Sequence, residues 1–177
     1  MSQRTTSSAY LSEIFSSAQG EGVNIGRRQL FVRFCDCHRN CRYCDTPYER
    51  TDTVNIERDP GSGLFEPFPN PVSPTQLTNL LLELNTAESS HDDLFITGGE
   101  PLLRKGLPRL VQMLAADRRI TDLALTTNGL LLDEQARTLR DAGLHRINIS
   151  VDTLRPDRFL KLARRDSLAD VLRGIAA

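Results

Sequence analysis

The stretch QLFVRFCDCHRNCRYC, Gln29 to Cys44, decides the fold. Its first six residues, Gln29 to Phe34, are rich in apolar and aromatic residues and predict a strand. All four cysteines of the chain follow within ten residues, at positions 35, 37, 41 and 44, so they lie on a loop after that strand. Thiols this close would form only very small disulfide loops, which gain little from cross-linking. A metal site in a reducing compartment is the better interpretation.

Outward from this loop, short apolar strands alternate with helices. Further strands are predicted at Leu94–Thr97, Leu123–Thr126 and Arg146–Val151, and helices near Ser73, Leu107, Asp133 and Ser167. Ser73 and Gln76 form a capping box, and Ser167 opens a second one. Continuous apolar strands between helices predict an α/β fold with a parallel sheet. Residues 51–72 contain many Pro and Gly and are expected to form an irregular surface loop.

Composition narrows the classes of function. The 177 residues are 39% apolar and 25% charged, with a formal net charge of −1. This balance does not favour a nucleic-acid partner or an anionic membrane surface. No apolar run approaches the roughly 18 residues of a membrane span, and Met1 to Ala9 lack the apolar region of a secretory signal. We therefore expect a cytoplasmic protein with one domain over residues 1–177, and His91 and His145 are expected at its surface.

Three of the cysteines have a spacing that suits iron. Cys37, Cys41 and Cys44 are separated by three and two residues. Three thiolates can hold three irons of a cubane cluster and leave the fourth iron open for another ligand. A structural zinc site would need a fourth protein ligand, which Cys35 or His38 could supply, so that alternative stays open. Without such a role, Cys35 is expected to be a small buried residue beside the cluster.

A second motif, Thr97-Gly98-Gly99-Glu100-Pro101, follows the second of these strands. Together with the CxxxCxxC spacing and the aromatic Tyr43, it resembles the radical S-adenosylmethionine (SAM) superfamily over nearly all of residues 12–177. The resemblance implies a [4Fe–4S] cluster in the loop 35–46 that binds SAM and cleaves it to a 5′-deoxyadenosyl radical. By this resemblance Glu100 helps hold the SAM amino group, and Gly98 and Gly99 let the backbone approach the methionine part.

The superfamily's fold is a partial (β/α) barrel of about six βα units. About four units are visible here, so we expect a barrel that is short at its carboxyl end. The fourth strand should then be an unpaired edge, which would favour a homodimer, aggregation or a missing carboxyl-terminal piece.

The first part of the chain resembles 7-carboxy-7-deazaguanine synthase, which converts 6-carboxy-tetrahydropterin to a deazapurine on the queuosine pathway. The resemblance rests on the segments 13–22, 31–33 and 44–48. It implies substrate contacts at Ala18, Gln19, Gly20, Arg33 and Thr97, and SAM contacts at Tyr43, Cys44, Asp45 and Gly99. Arg33 would pair with a substrate carboxylate, and Thr46 would ligate Mg²⁺.

The second half resembles GTP 3′,8-cyclase of molybdopterin synthesis, on the segments 101–104, 126–129 and 150–153. By this resemblance Thr126 would meet a nucleotide and Ser150 would contact SAM. Two arginines that the cyclase pattern requires are Leu30 and Phe95 in this chain. The deazaguanine synthase interpretation therefore ranks first.

The expected activity is that of a radical SAM enzyme of the carbon–nitrogen lyase type. Its substrate would be a small molecule, either a pterin or a purine nucleotide. A flavodoxin or ferredoxin would supply the electron. The competing class is a non-catalytic iron–sulfur or zinc-binding protein.

Overall fold

The computed structural model describes residues 8–46, 48–85, 91 and 93–177. The strands in these residues are β1 (Leu11–Ala18), β2 (Arg28–Phe34), β3 (Thr53–Glu57), β4 (Phe65–Pro69), β5 (Asp93–Gly98), β6 (Asp122–Thr127) and β7 (Arg146–Ile149). The helices are α1 (Pro74–Leu84), α2 (Leu107–Ala115), α3 (Leu132–Asp141), α4 (Pro156–Ala163) and α5 (Leu168–Ala176), with a 3₁₀ turn at Pro101–Leu103. No helix in this part of the chain is long and apolar enough to cross a membrane.

The strands form one open sheet in the order β4-β3-β1-β2-β5-β6-β7. The four predicted strands β2, β5, β6 and β7 are neighbours and run parallel. A helix lies in each connection between them, so the predicted α/β fold of partial-barrel type is confirmed. Strand β7 pairs only with β6 among the described residues, and it is the expected edge.

The prediction of an irregular loop over residues 51–72 is wrong. Residues Thr53–Glu57 form β3, which pairs parallel with β1, and its alternate residues Val54 and Ile56 are fully buried. Phe65–Pro69 form β4, which pairs antiparallel with β3. Proline is tolerated there because β4 is an edge strand, where a missing N–H costs no ladder hydrogen bond.

Two further elements escaped the sequence analysis. Strand β1 forms an antiparallel hairpin with β2. It lies on the side of β2 that faces away from β5. Helix α4 precedes α5 and begins with Pro156 in its first turn. The capping box of α1 is present as predicted, whereas the Ser167 side chain makes no capping bond to α5. Instead, the Ser167 hydroxyl accepts a hydrogen bond from Arg39 at 3.2 Å.

The two faces of the sheet differ in chemistry, because successive side chains of a strand point to opposite faces. One face packs against α1, α2 and α3 through an aliphatic core that includes Val32, Ile96 and Leu125. On the other, inner face, Phe15, Phe31 and Phe95 form an aromatic row, with ring centroids 5.2 and 5.4 Å apart. One register step nearer the carboxyl ends of the parallel strands, the inner face becomes polar.

The loop after β1 covers the amino-terminal ends of the parallel strands, at the opposite end of the sheet from the cysteine loop. The Gln19 amide donates to Gln29 at 2.7 Å, and Asn24 donates to Asp93 at 3.2 Å and to Asp122 at 2.7 Å. The buried side chains of Gln19 and Gln29 and one oxygen of the Asp93 carboxylate thus find partners within the chain, as burial favours.

The surface prediction for His91 is wrong, since its side chain is 2% exposed and shares a 2.7 Å hydrogen bond with the Ser16 hydroxyl. It lies just before β5, where β1 and α1 cover it. His145 is exposed, as predicted.

Candidate active site

The cysteine loop, residues 35–46, begins where β2 ends, at the carboxyl edge of the parallel strands. Backbone hydrogen bonds hold it at several points. The Cys35 and Asp36 amides donate to the Tyr10 and Tyr48 carbonyls, both at 2.9 Å, and the Arg42 amide donates to the Leu162 carbonyl at 3.0 Å. The loop is therefore attached both to the sheet and to α4.

Three cysteines of this loop present free thiols at or near the surface. Cys37 and Cys41 are half-buried and Cys44 is exposed. The Arg39 amide donates to the Cys37 sulfur at 3.4 Å. Burial raises the pKa of the Cys37 thiol, and the nearby Glu100, Cys41 and Cys44 raise it further. The three thiols all lie within residues 37–44 of one loop.

By its chemistry, a set of three thiols suits a cubane cluster, and the assignment of Cys37, Cys41 and Cys44 as its ligands stays a prediction. Within the described ranges, no group of three or more Cys, His, Asp or Glu converges where a single ion could sit. A cubane makes no such demand, because each thiolate binds a different iron.

Cys35 has a different environment. Its buried thiol donates to the Glu49 carbonyl at 3.2 Å. Burial, and after it the neighbouring Asp36, raise the pKa of this thiol to about 11. It lines a separate cavity of about 350 Å³, together with Asp36, Arg50 and Arg104. These features match the expectation of a small buried residue.

The two glycines of the second motif pack against the cysteine loop. A Cβ on Gly98, whose φ is +114°, would lie 2.2 Å from the Phe34 carbonyl oxygen, and a Cβ on Gly99 would lie 2.0 Å from that of Asp36. The Gly99 amide donates to Phe34 at 2.9 Å and the Glu100 amide to Asp36 at 2.8 Å. The chain's own backbone thus requires glycine here, a reason that the sequence analysis did not foresee.

The Glu100 side chain joins the ends of β5 and β6. It is 2% exposed, and its carboxylate accepts from the Thr127 hydroxyl at 2.7 Å and from the Asn128 and Leu102 amides at 2.8 and 3.0 Å. Burial raises the pKa of this carboxyl, while the three hydrogen bonds oppose the rise. Its contact with SAM stays a prediction.

Arg33 lies on the polar part of the inner face, opposite Glu13 and Thr97 in the strand register. Its guanidinium donates to Glu13 at 2.9 Å and lies 5.0 Å from the centre of the Phe15 ring. Both members of the ion pair keep more than a quarter of their side chains exposed. A partly exposed cation above an aromatic row suits a planar anionic ligand.

A cavity of about 630 Å³ connects this ion pair to the cysteine loop. One wall is formed by Ser12 and Glu13 of β1 and by Thr53 and Asn55 of β3. The other wall is formed by residues of the cysteine loop and the segment after it, among them Cys44, Asp45 and Thr46. The structure therefore brings Glu13, the ion-pair partner of Arg33, to the same cavity as Thr46, Asp45 and Cys44, while Arg33 itself does not line that cavity.

Other predicted residues are placed around this region. Thr97 and Thr126 lie on the inner face, and the Thr126 hydroxyl donates to Glu21 at 3.0 Å. Ser150 is exposed after β7, and its amide donates to Thr127 at 2.9 Å. The Tyr43 hydroxyl donates to Asp152, and burial together with this bond raises the pKa of Tyr43.

Three predicted substrate residues lie at the other end of the parallel strands, where β2 begins. Ala18 pairs with Arg28, at the start of β2. Gln19 is 3% exposed and bonded to Gln29, and Gly20 has no atom near its would-be Cβ. The structure does not bring these three to the cysteine loop, and their contact with substrate stays a prediction.

Two residues near the site were not predicted. Glu21, between two glycines, reaches Thr126 on the inner face. Arg39 is 7% exposed and lies with its guanidinium 5.3 Å from the Phe159 ring. An acid between two glycines could have drawn attention to Glu21, whereas nothing local distinguishes Arg39 from the other arginines.

The fold and this edge define a class: an open α/β sheet whose parallel strands end in a three-thiol loop and a diglycine motif. Residues 32–177 match the radical SAM superfamily. The chain belongs to that superfamily, whose members use a [4Fe–4S] cluster and SAM.

Two kinds of curated protein are among the relatives of this chain. The chain is 37% identical to GTP 3′,8-cyclase of Alkaliphilus metalliredigens (strain QYMF) over 139 residues, which cover 78% of this chain and 39% of the relative. It is 43% identical to 7-carboxy-7-deazaguanine synthase of Geobacter sulfurreducens (strain ATCC 51573 / DSM 12127 / PCA) over 125 residues, which cover 70% and 49%. The chain thus spans half or less of the length of these relatives.

A solved structure supports the fold. The crystal structure of QueE from Escherichia coli superposes with a TM-score of 0.51 at 21% sequence identity, covering 70% of this chain and 54% of that one. At this identity the likeness concerns the fold alone.

Proposed function

We propose that the chain carries the cofactor-binding part of a 7-carboxy-7-deazaguanine synthase, a carbon–nitrogen lyase that acts on 6-carboxy-tetrahydropterin. The observation that carries this proposal is Arg33, a partly exposed cation on the inner face beside the cavity that reaches the cysteine loop. A carboxylated bicyclic substrate needs such a cation and a flat apolar neighbour, and Phe15 supplies the latter.

In this proposal Cys37, Cys41 and Cys44 hold the cluster. Bound there, a reduced cluster would supply the electron for reductive cleavage of SAM, and so the radical chemistry that acts on the substrate. The protein's part is to position both molecules and to exclude water. Tyr43, Asp45, Gly98, Gly99, Glu100 and Ser150, all near the carboxyl edge, are the residues proposed to contact SAM.

Substrate binding would exchange one ion pair for another. The Arg33 guanidinium, now bonded to Glu13, would turn its N–H groups to the substrate carboxylate, and Thr97 and Thr126 would offer hydroxyls from the neighbouring strands. Glu13 would then be free to meet a substrate N–H or a cation. Ala18, Gln19 and Gly20 would contribute through the loop whose Glu21 already reaches Thr126.

Mg²⁺ would bind in the cavity of about 630 Å³, beside Glu13. Thr46 offers a hydroxyl, and the carboxylates of Asp45 and Glu13 line the same cavity. Oxygen ligands of this kind suit a hard cation.

The second candidate is a GTP 3′,8-cyclase, favoured by 37% identity over 139 residues. The structure supplies an argument against it at two positions. Leu30 is 3% exposed and belongs to the core under the helices, and Phe95 is 2% exposed within the aromatic row. Neither place can present a cation to a triphosphate. A non-catalytic iron–sulfur or zinc-binding protein is the third candidate.

The test is anaerobic turnover with a reductant. We expect 6-carboxy-tetrahydropterin, and not GTP, to stimulate formation of 5′-deoxyadenosine. Arg33→Ala should weaken pterin binding by about 1.5–3 kcal/mol, the range for a hydrogen bond to a charged group, and leave uncoupled SAM cleavage intact. Arg109→Ala, on the exposed side of α2, is the matched control. Stimulation by GTP alone would replace this proposal with the cyclase.

The remaining expectations belong to the same proposal: a cytoplasmic enzyme reduced by a flavodoxin or ferredoxin, with the β7 edge available for a homodimer and with no nucleic-acid or membrane partner.

A further inference from the structure

Positive charge is concentrated in the segment around α4. Five of the eleven residues 155–165 are Arg or Lys and one is acidic, although the whole chain has a net charge of −1. All five cationic side chains are exposed. Arg155 pairs with Asp157 at 3.5 Å, whereas Arg158, Lys161 and Arg164 have no ion pair with any described residue. This charge is therefore presented to solvent and not neutralised within the fold.

The same segment packs directly on the cysteine loop. The Arg42 amide donates to the Leu162 carbonyl at 3.0 Å, and the Arg165 guanidinium donates to the His38 carbonyl at 3.4 Å. From the loop, Arg39 stacks on Phe159 of α4 at 5.3 Å. The positive surface thus begins next to Cys37, Cys41 and Cys44.

Apolar side chains lie within this positive surface. Leu154 is 69% exposed and Leu160 is 48% exposed, while Phe159 and Ala163 bury the other side of α4. Apolar residues among exposed cations form the usual composition of a transient protein interface, with charge at the rim to steer the partner.

We propose that Arg42, Leu154, Arg158, Leu160, Lys161 and Arg164, hereafter the α4 surface, dock an acidic one-electron carrier protein that reduces the cluster. The inference rests on the proposed function insofar as the chain must hold a [4Fe–4S] cluster. The α4 surface offers the positive charge that attracts an acidic protein. It lies against the cysteine loop, so an electron passed from a protein docked there would travel a short distance to the cluster.

The electron balance is simple for a flavin carrier. The anionic flavin hydroquinone of the carrier loses one electron and becomes the neutral semiquinone, and the cluster accepts that electron, passing from the 2+ to the 1+ state. No bond forms or breaks and no proton moves in this step.

The test compares two charge-reversal variants of the whole chain with flavodoxin as the probe. One is Arg158→Glu with Lys161→Glu on the α4 surface. The control is Arg137→Glu with Arg140→Glu, two exposed positions on α3, which gives the same change in net charge. Binding of oxidised flavodoxin is measured by calorimetry at low and high salt. The rate of cluster reduction by flavodoxin hydroquinone is measured by stopped-flow absorbance.

We expect the α4 variant to lose roughly tenfold or more in affinity and reduction rate at low salt, with a smaller loss at high salt, because salt screens the attraction. Its SAM cleavage with dithionite should equal that of the unsubstituted chain, and the α3 control should behave as unsubstituted in every assay. Reduction of the α4 variant at the unsubstituted rate, or an equal loss in the control, would overturn the proposal.

Failure of the proposed function would give a different pattern. A chain that holds no cluster would show no dithionite-driven SAM cleavage, while flavodoxin binding would still report on the α4 surface. A short RNA bound by the unsubstituted chain and lost by the α4 variant, with no binding of flavodoxin, would also overturn the proposal.

Discussion

Gly99→Ala adds one carbon atom where two loops meet. That Cβ would lie 2.0 Å from the Asp36 carbonyl oxygen, 2.6 Å from its carbon and 3.2 Å from the Cys37 nitrogen. These are backbone atoms, so no side chain can turn away to make room. Asp36 itself already has a φ of +68°, a conformation with little freedom to adjust.

The energetic cost can be worked from this contact. Restoring ordinary separation requires the cysteine loop to move by roughly 1.4 Å or more, and overpacking of this kind costs about 1–3 kcal/mol. The movement also stretches the bonds from Gly99 to Phe34 and from Glu100 to Asp36, each worth about 1 kcal/mol. We expect the free energy of unfolding to fall by about 2–4 kcal/mol, which lowers the melting temperature by roughly 5–15 °C.

The measurement is anaerobic urea denaturation followed by circular dichroism, together with iron content after reconstitution. Gly20→Ala is the matched control, because nothing lies within 4 Å of its would-be Cβ. We expect that control to unfold as the unsubstituted chain does. If Gly99→Ala keeps both the unsubstituted midpoint and the iron, the cysteine loop does not pack on the glycines as described.

Three further predictions concern single side chains. Cys37→Ala should lose iron and SAM cleavage, whereas Cys35→Ala should keep both, and the opposite result in an iron assay would reverse the assignment of ligands. Glu57→Gln removes a buried carboxylate whose pKa lies below its ordinary value, because hydrogen bonds from backbone amides outweigh the effect of burial. Its stabilisation is therefore present above the unfolded pKa and lost as pH falls through the folded one. The variant should be about 1.5–3 kcal/mol less stable at neutral pH, with a smaller difference in acid, and urea midpoints that differ equally at both pH values would contradict this. Arg39→Ala loses the contact with Phe159, worth about 2 kcal/mol when desolvated, so hydrogen exchange of α4 amides should speed up, and unchanged exchange would refute the link.

The sequence by itself determined the motifs and elements that depend on one short segment of the chain. The spacing of Cys37, Cys41 and Cys44 and the motif at residues 97–101 each lie within one short segment, and together they indicated the superfamily. Continuous apolar runs identified β2, β5, β6 and β7, because a strand covered on its helix side and largely filled on the other needs no alternating pattern. The capping box at Ser73 was likewise local and is present.

The tertiary structure alone decided how distant segments meet. Within residues 51–72, β3 formed beside β1, and β4 formed on the outer side of β3, where an edge strand tolerates proline. No local pattern reveals where an edge strand will be. Arg39 reaches Ser167 across 128 positions, and Thr126 reaches Glu21 across 105. Gly99 is required by the carbonyl of Asp36, far away in sequence. Propensity and spacing act over a few residues, whereas strand register and loop packing depend on contacts that exist only once the chain has folded.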